Sequence, residues 1–259
     1  MYLEETVNLD KIMKPSETPK CYCCEQIATT KDHVPAQCFF PEEKHLPSGC
    51  PDYRNNLITV PSCSEHNNPR SRDDEYAAVV IAINSKSDLA LTMLKSRWVR
   101  ALLRREGSLG KKIFSTARGA KAISRKNGII IPYETLAVSY QIERIECVIE
   151  SIARALYYRE SGYQKKWVDS CIIKSLKFFN RDMGYAQDDC TLNQIEQAFI
   201  HGEKYQGLEL VRKGSNPDVF YYQFFKSDDR NFIIRTVFYS DFTFLAFLKS
   251  GETTLNFVF

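Results

Sequence analysis

Two close pairs of soft metal donors constrain this chain more than any other feature: Cys21-x2-Cys24 and, well downstream, Cys63-x2-His66. Pairs of this kind on separate turns can present four ligands in a tetrahedron, which is what a structural zinc ion requires. Six of the nine cysteines (Cys21, Cys23, Cys24, Cys38, Cys50, Cys63) and three of the four histidines (His33, His45, His66) fall in the first 66 residues. The odd cysteine count argues against a disulfide framework, so metal binding is the expected use, with reduced, unligated thiols as the other reading. Cys23 is a third candidate inside the first pair. Cys38 and Cys50, unpaired by spacing, read as buried or incidental.

The 259 residues, 44% apolar, suffice for one large domain or two small ones with real cores. No run approaches the roughly 18 to 20 apolar residues of a bilayer span, and Met1 to Glu5 lack the basic start and apolar core of a signal peptide. A soluble protein of the cytoplasm, away from membranes, is expected. The net charge of +3 conceals a segregation. From Lys95 to Lys126 eleven basic residues face one acid, Glu106, so that segment carries +10 and the remainder −7. Such a block points to a polyanionic partner, or else to a solvated helix face that binds nothing.

Residues 1–20 show no periodicity and read as a docking arm, and the stretch from Cys21 to about Asn68 reads as a small metal-held module. Ser71, followed by Asp74 and Glu75, predicts a helix N-terminus, and Tyr76, Val79, Val80 and Ile83 continue it to about residue 84. A second helix is predicted over about 88–105, with Leu91, Met93, Leu94, Trp98, Leu102 and Leu103 among the basic positions and Gly107 and Gly110 closing it. Trp98 reads as core rather than as a base-stacking platform. Ile129 to Ile131 predict a short strand or anchored loop. Ile142, Ile145, Val148, Ile149, Ile152 and Leu156 form a helical stripe that ends at Gly162. A shorter helix over about 192–200 and a small antiparallel meander complete the chain.

Between the donor pairs stands Asp32-His33-Val34-Pro35, and directly after them Asn67. Adjacent residues on a regular strand point to opposite faces, so joint use of Asp32 and His33 demands a strand that bends. Read in order, Cys21-x2-Cys24, Asp32-His33, Asn56-Leu57-Ile58 and Cys63-x2-His66-Asn67 resemble the HNH endonucleases, over about residues 21–76. That resemblance implies a ββα-metal module: a hairpin, a one-metal site and a helix. It makes His33 the general base, Asp32 and Asn67 the ligands of a catalytic Mg2+ or Mn2+, and Asn56 (or Asn55) the residue fixing the hairpin loop. Cys21, Cys24, Cys63 and His66 become the ligands of a structural Zn2+. The family more often has His where Asn67 stands, a change that goes with magnesium, and a second cysteine pair where Cys-x2-His stands here.

The expected fold is α+β, in three stretches: residues 1–85 an HNH nuclease module braced by zinc, 86–165 a basic helical region, and 166–259 an α+β region with a small antiparallel sheet and helices. The expected function is phosphodiester hydrolysis of nucleic acid, double-stranded DNA above all. Arg70, Arg72, Arg97, Arg100, Arg104, Arg105, Lys111 and Lys112 would hold the backbone. One alternative is a zinc-braced nucleic-acid-binding module without cleavage. Another is the effector subunit of a restriction or antiphage defence complex, docked to other subunits through the aromatic-rich strands.

Overall fold

The computed structural model describes residues 18–67, 71–126, 129–163, 170–175, 187–202 and 211–250. It is a mixed helix-and-sheet fold with a small antiparallel sheet. Near its start, β1 (Thr30–His33) pairs antiparallel with β2 (Thr59–Ser62), setting Asp32 opposite Val60 and His33 opposite Thr59. Their long connection carries two 3-10 turns, Gln37–Phe39 and Glu43–His45. A single turn, α1 (Ser64–Asn67), leaves β2, and α2 (Ser71–Asn84) follows with Asp73 and Asp74 in its first turn, where carboxylates favour the positive end of the helix dipole.

The run from Tyr76 to Ala82 is buried residue by residue, because α2 is enclosed on several sides. It contacts α3 (Asp88–Met93), the 37–39 turn and the long helix α5 (Ile142–Glu160). Small alanines at 77, 78 and 82 let those neighbours approach. Arg144 of α5 reaches back to α2, donating to Asp73 (2.7 Å) while its guanidinium lies 4.3 Å from the centre of the Tyr76 ring. The α5 stripe is buried from Ile145 to Leu156 as its periodicity predicts, with Ile142 half-buried at its start.

The basic stretch departs from expectation twice. After α3, a π turn over Leu94–Trp98 leads into α4 (Val99–Phe114), which runs past both glycines that were to end it. Gly107 instead makes a local break within the helix at φ +74°, a left-handed conformation that costs glycine little. Gly110 allows a close approach, since a Cβ there would stand 3.0 Å from the Leu102 carbonyl oxygen. The second departure is that the middle is not helical throughout. The block ends in a hairpin of β3 (Arg118–Lys126) and β4 (Ile129–Ala137), so the short strand expected at Ile129 is nine residues long with a partner of equal length.

Beyond α5, strands β5 (Ser170–Ser175), β6 (Lys213–Asn216), β7 (Phe220–Lys226), β8 (Asn231–Phe238) and β9 (Phe242–Lys249) form one antiparallel sheet in the order β5-β9-β8-β7-β6. Strands β6 to β9 are the expected meander, and β5 is an added edge. Helix α6 (Gln187–His201) begins five residues before its expected start at Leu192. It covers one sheet face through Leu192 and Phe199 packed on Leu245 and Phe247. The other face, including Phe220, Tyr222, Phe238 and Phe244, joins a single core with Tyr22, Phe39, Val60, α2 and α5. The Tyr239 hydroxyl, buried beneath this core, donates to the Phe39 carbonyl (2.9 Å) and pins the connection between β1 and β2. Among the described residues, no helix is long and apolar enough to cross a membrane.

Candidate functional site

Cys21 and Cys24 sit on a tight loop that a Lys20–Ile27 bridge closes, with the Cys21 amide donating to the Gln26 carbonyl (2.8 Å). Cys63 follows β2 directly, and its carbonyl accepts from the amides of His66 (3.2 Å) and Asn67 (3.1 Å), bringing the His66 ring back over the Cys63 sulfur. The four donor atoms lie within 4.8 Å of one another. Cys24 Sγ is 3.8 Å from Cys63 Sγ, and His66 Nδ1 is 3.9 Å from Cys21 Sγ and 3.1 Å from Cys63 Sγ. A tetrahedron with zinc–sulfur bonds of about 2.3 Å and zinc–nitrogen bonds of about 2.0 Å has edges of about 3.5–3.8 Å. The cluster could therefore hold a metal ion such as zinc.

The electrostatics of the cluster favour a shared cation. Burial raises the Cys21 thiol, but amides of Cys23 and Cys63 directed at its sulfur outweigh that and hold it below the ordinary cysteine range. Cys24 is pushed up to about 11, first by burial and then by the sulfurs of Cys63 and Cys21. A divalent ion among the four would offset that mutual repulsion. Cys23 stands outside the cluster and packs on the core. Cys38 also packs on the core, its thiol raised by burial and by the charge of Asp74.

Beside this cluster, Asp32 and His33 line one cavity. Strand β1 ends at His33, the chain bends at Val34 and Pro35, and both residues border this cavity. The cavity, about 20 Å³, has room for a water molecule or a single ion. Its polar lining adds Tyr22, Asp74 from the first turn of α2, and Ser151 from α5. Tyr22 is 2% exposed, and its hydroxyl donates to Asp32 Oδ2 (3.0 Å) while lying 2.9 Å from Ser151 Oγ. With the tyrosine proton directed at the carboxylate, Ser151 is the donor to the tyrosine oxygen, and a chain of two bonds runs from α5 to Asp32. The Gln37 amide nitrogen lies 3.1 Å from His33 Nε2 and orients the ring.

The remaining expected residues are dispersed. Asn67 donates to Thr30 Oγ1 (3.1 Å) and the Lys31 carbonyl (3.4 Å), which ties α1 to β1, and it is not among the residues lining the cavity. Asn55 and Asn56 are exposed, with Asn56 at φ +52°, and their carbonyls accept from Asn216 Nδ2 (3.0 Å) and Ser215 Oγ (2.8 Å) of β6. Arg54 also binds this loop, through the Phe40 carbonyl (3.3 Å) and an ion pair to Glu42 (3.3 Å).

Arg97 is not directed outward as a phosphate contact would be. It is half-buried, 3.8 Å from Glu42 and 4.7 Å from the centre of the buried Trp98 ring. Arg100 donates to His45 Nε2 (2.8 Å) and to the Ser96 carbonyl (2.6 Å). Arg72, Lys111 and Lys112 are exposed. Arg70 and the side chains of Arg104 and Arg105 lie outside the described residues. The sequence reading did not single out Tyr22, Gln37, Arg54 or Ser151, and gave Asp74 only a capping role. Asp74 had a signal, as a carboxylate opening the helix that follows the second donor pair. No protein-family model matches the chain, and searches of curated proteins and of solved structures find no match.

Proposed function

We propose that this chain is a metal-dependent endonuclease that hydrolyses phosphodiester bonds of nucleic acid, with an HNH-type ββα-metal unit as its catalytic part. One observation carries the reading: Asp32 and His33, neighbours in sequence, share a small polar cavity beside a four-donor Cys/His cluster, on an antiparallel strand pair followed by a helix. In this reading His33 takes a proton from the attacking water as the new oxygen–phosphorus bond forms. The bond to the 3′ oxygen breaks in line, and that oxygen leaves with a proton from solvent.

Asp32, held by Tyr22, supplies a hard oxygen ligand for Mg2+ or Mn2+, and Asp74 is the second carboxylate on the same cavity. When bound, the cation stabilises the developing charge on the phosphate and the leaving oxygen. Because Asn67 is turned onto Thr30 and Lys31, Asp74 takes the second ligand position that the family resemblance gives to Asn67. Cys21, Cys24, Cys63 and His66 hold a structural zinc that fixes the strand pair against the loop carrying Tyr22. The test is purified protein incubated with supercoiled plasmid, linear duplex, single strands and RNA, each with magnesium, manganese or chelator. Cleavage that requires the added divalent ion supports the reading, and intact substrates under every condition overturn it.

A further inference from the structure

The β3–β4 hairpin is a two-stranded sheet separate from the five-stranded one. Its nine cross-strand pairs run from Arg118 opposite Ala137 to Lys126 opposite Ile129, so at about 3.3 Å per residue the ribbon is about 30 Å long. Among the described helices and strands, β3 and β4 make their extensive contacts with each other. A two-stranded ribbon is marginal in water by itself. Its base is fastened by Thr116, whose hydroxyl donates to the Ser139 carbonyl (3.0 Å) and accepts from the Ser139 amide (2.8 Å). Arg118, Lys121, Thr135 and Leu136 are all exposed, and Leu136, at 63%, is the most exposed large apolar side chain among the described residues.

Charge and shape together select the occupant. Strand β3 carries four basic residues and no acid, α4 ends on Lys111 and Lys112, and the single acid of β4 is Glu134. That balance fits a polyanion. The register places Lys121 on one face with Leu136 and its direct partner Glu134, and Arg118 on the other face, so each side of the ribbon carries a cation. The major groove of B-form DNA admits a two-stranded ribbon, with phosphates along both walls and thymine methyl groups on its floor for an apolar side chain. The corresponding groove of A-form RNA is too narrow and deep. Platforms for single strands rely on successive aromatic side chains, and the ribbon has only Tyr133.

We propose that the β3–β4 ribbon lies in the major groove of duplex DNA, which makes B-form duplex the substrate class of the nuclease. The naming of a substrate rests on the nuclease reading, whereas the binding itself does not. Affinity is therefore measured in chelator, where cleavage plays no part, for the full chain and for an Arg118→Ala/Lys121→Ala/Leu136→Ser variant. The probes are a DNA duplex, an RNA duplex of the same sequence, one DNA strand, and a DNA duplex whose major groove is filled by glucosylated hydroxymethylcytosine.

The full chain is expected to bind plain DNA duplex at least about tenfold more tightly than the other three. The variant loses that preference, and its log-log salt slope falls by about 1.8, at about 0.9 for each of two lost phosphate contacts. Its melting temperature stays that of the parent, because the three substituted side chains are exposed. Unchanged affinity in the variant, or equal binding of RNA duplex, single strand or groove-filled DNA by the full chain, overturns the ribbon's role and leaves the nuclease reading standing. Ribbon-dependent duplex binding without cleavage in any divalent ion overturns the nuclease reading alone.

Discussion

The Tyr22 hydroxyl joins the loop of the Cys/His cluster to the cavity lined by Asp32 and His33. Tyr22 lies between Cys21 and Cys24, yet its oxygen sits between Ser151 and Asp32. Tyr22→Phe removes both bonds and keeps the ring, so it is expected to cost about 1–3 kcal/mol of stability from unsatisfied partners. Under the proposed chemistry it also lowers kcat more than it raises KM. Thermal melting and steady-state kinetics check both, and unchanged kcat would show that Tyr22 merely fills the core.

Glu42 offers a second test at this scale. A hydrogen bond from Lys44, and then the charges of Arg54 and Arg97, hold its carboxyl below the usual range. A lowered carboxyl contributes stability that is present above its unfolded pKa and is lost as pH falls through the folded one. Glu42→Gln should therefore lower the melting temperature at neutral pH, flatten the acid limb of its pH profile and converge on the parent at low pH, where Glu42 is protonated; an unaltered acid limb contradicts the assignment. The donor pairs, Asp32 and His33 were legible because each is local in sequence. Ser151 and Arg54 were not, because long-range packing brings them to their partners and no local pattern announces it.

At the scale of elements, helices α2 and α5 were legible because one face or more is uniformly apolar at helical spacing. Of the β3–β4 ribbon only the start of β4, at Ile129 to Ile131, was legible. Its basic residues continue the run of charge that begins in the preceding helix, so β3 reads as more of the same. Strand β5 escaped notice as a six-residue edge. The Cys/His cluster brings together the 20–27 loop and the start of α1, which are also joined by a hydrogen bond from Gln26 to Glu65 (3.0 Å). Cys24→Ser, or zinc removal by a strong chelator, should lower the melting temperature and solubility of the whole chain rather than only its turnover. Elemental analysis should find one zinc per chain in the parent. Active, stable protein without zinc would contradict the structural role.

Taken whole, the described residues form a principal core that runs from Tyr22 near their start to Leu248 near their end. Phe39, from the connection between β1 and β2, packs against Phe238 of β8 with ring centres 5.1 Å apart. The aromatic strands that suggested a docking surface thus spend one face on the core and the other on α6. A fragment ending near residue 165 would expose Phe39, Val60 and the α5 stripe, and is expected to aggregate or to lack cooperative melting; a soluble, cooperatively folded fragment would contradict that dependence. The central claim concerns the cavity lined by Asp32 and His33. The most direct measurement compares full-length protein with its His33→Ala variant on plasmid DNA, with manganese or magnesium, at concentrations where both bind equally. The account predicts cleavage by the parent and a loss of about 10²- to 10⁴-fold in the variant, with melting temperature and DNA affinity unchanged. Cleavage by the variant at the parent's rate would contradict it.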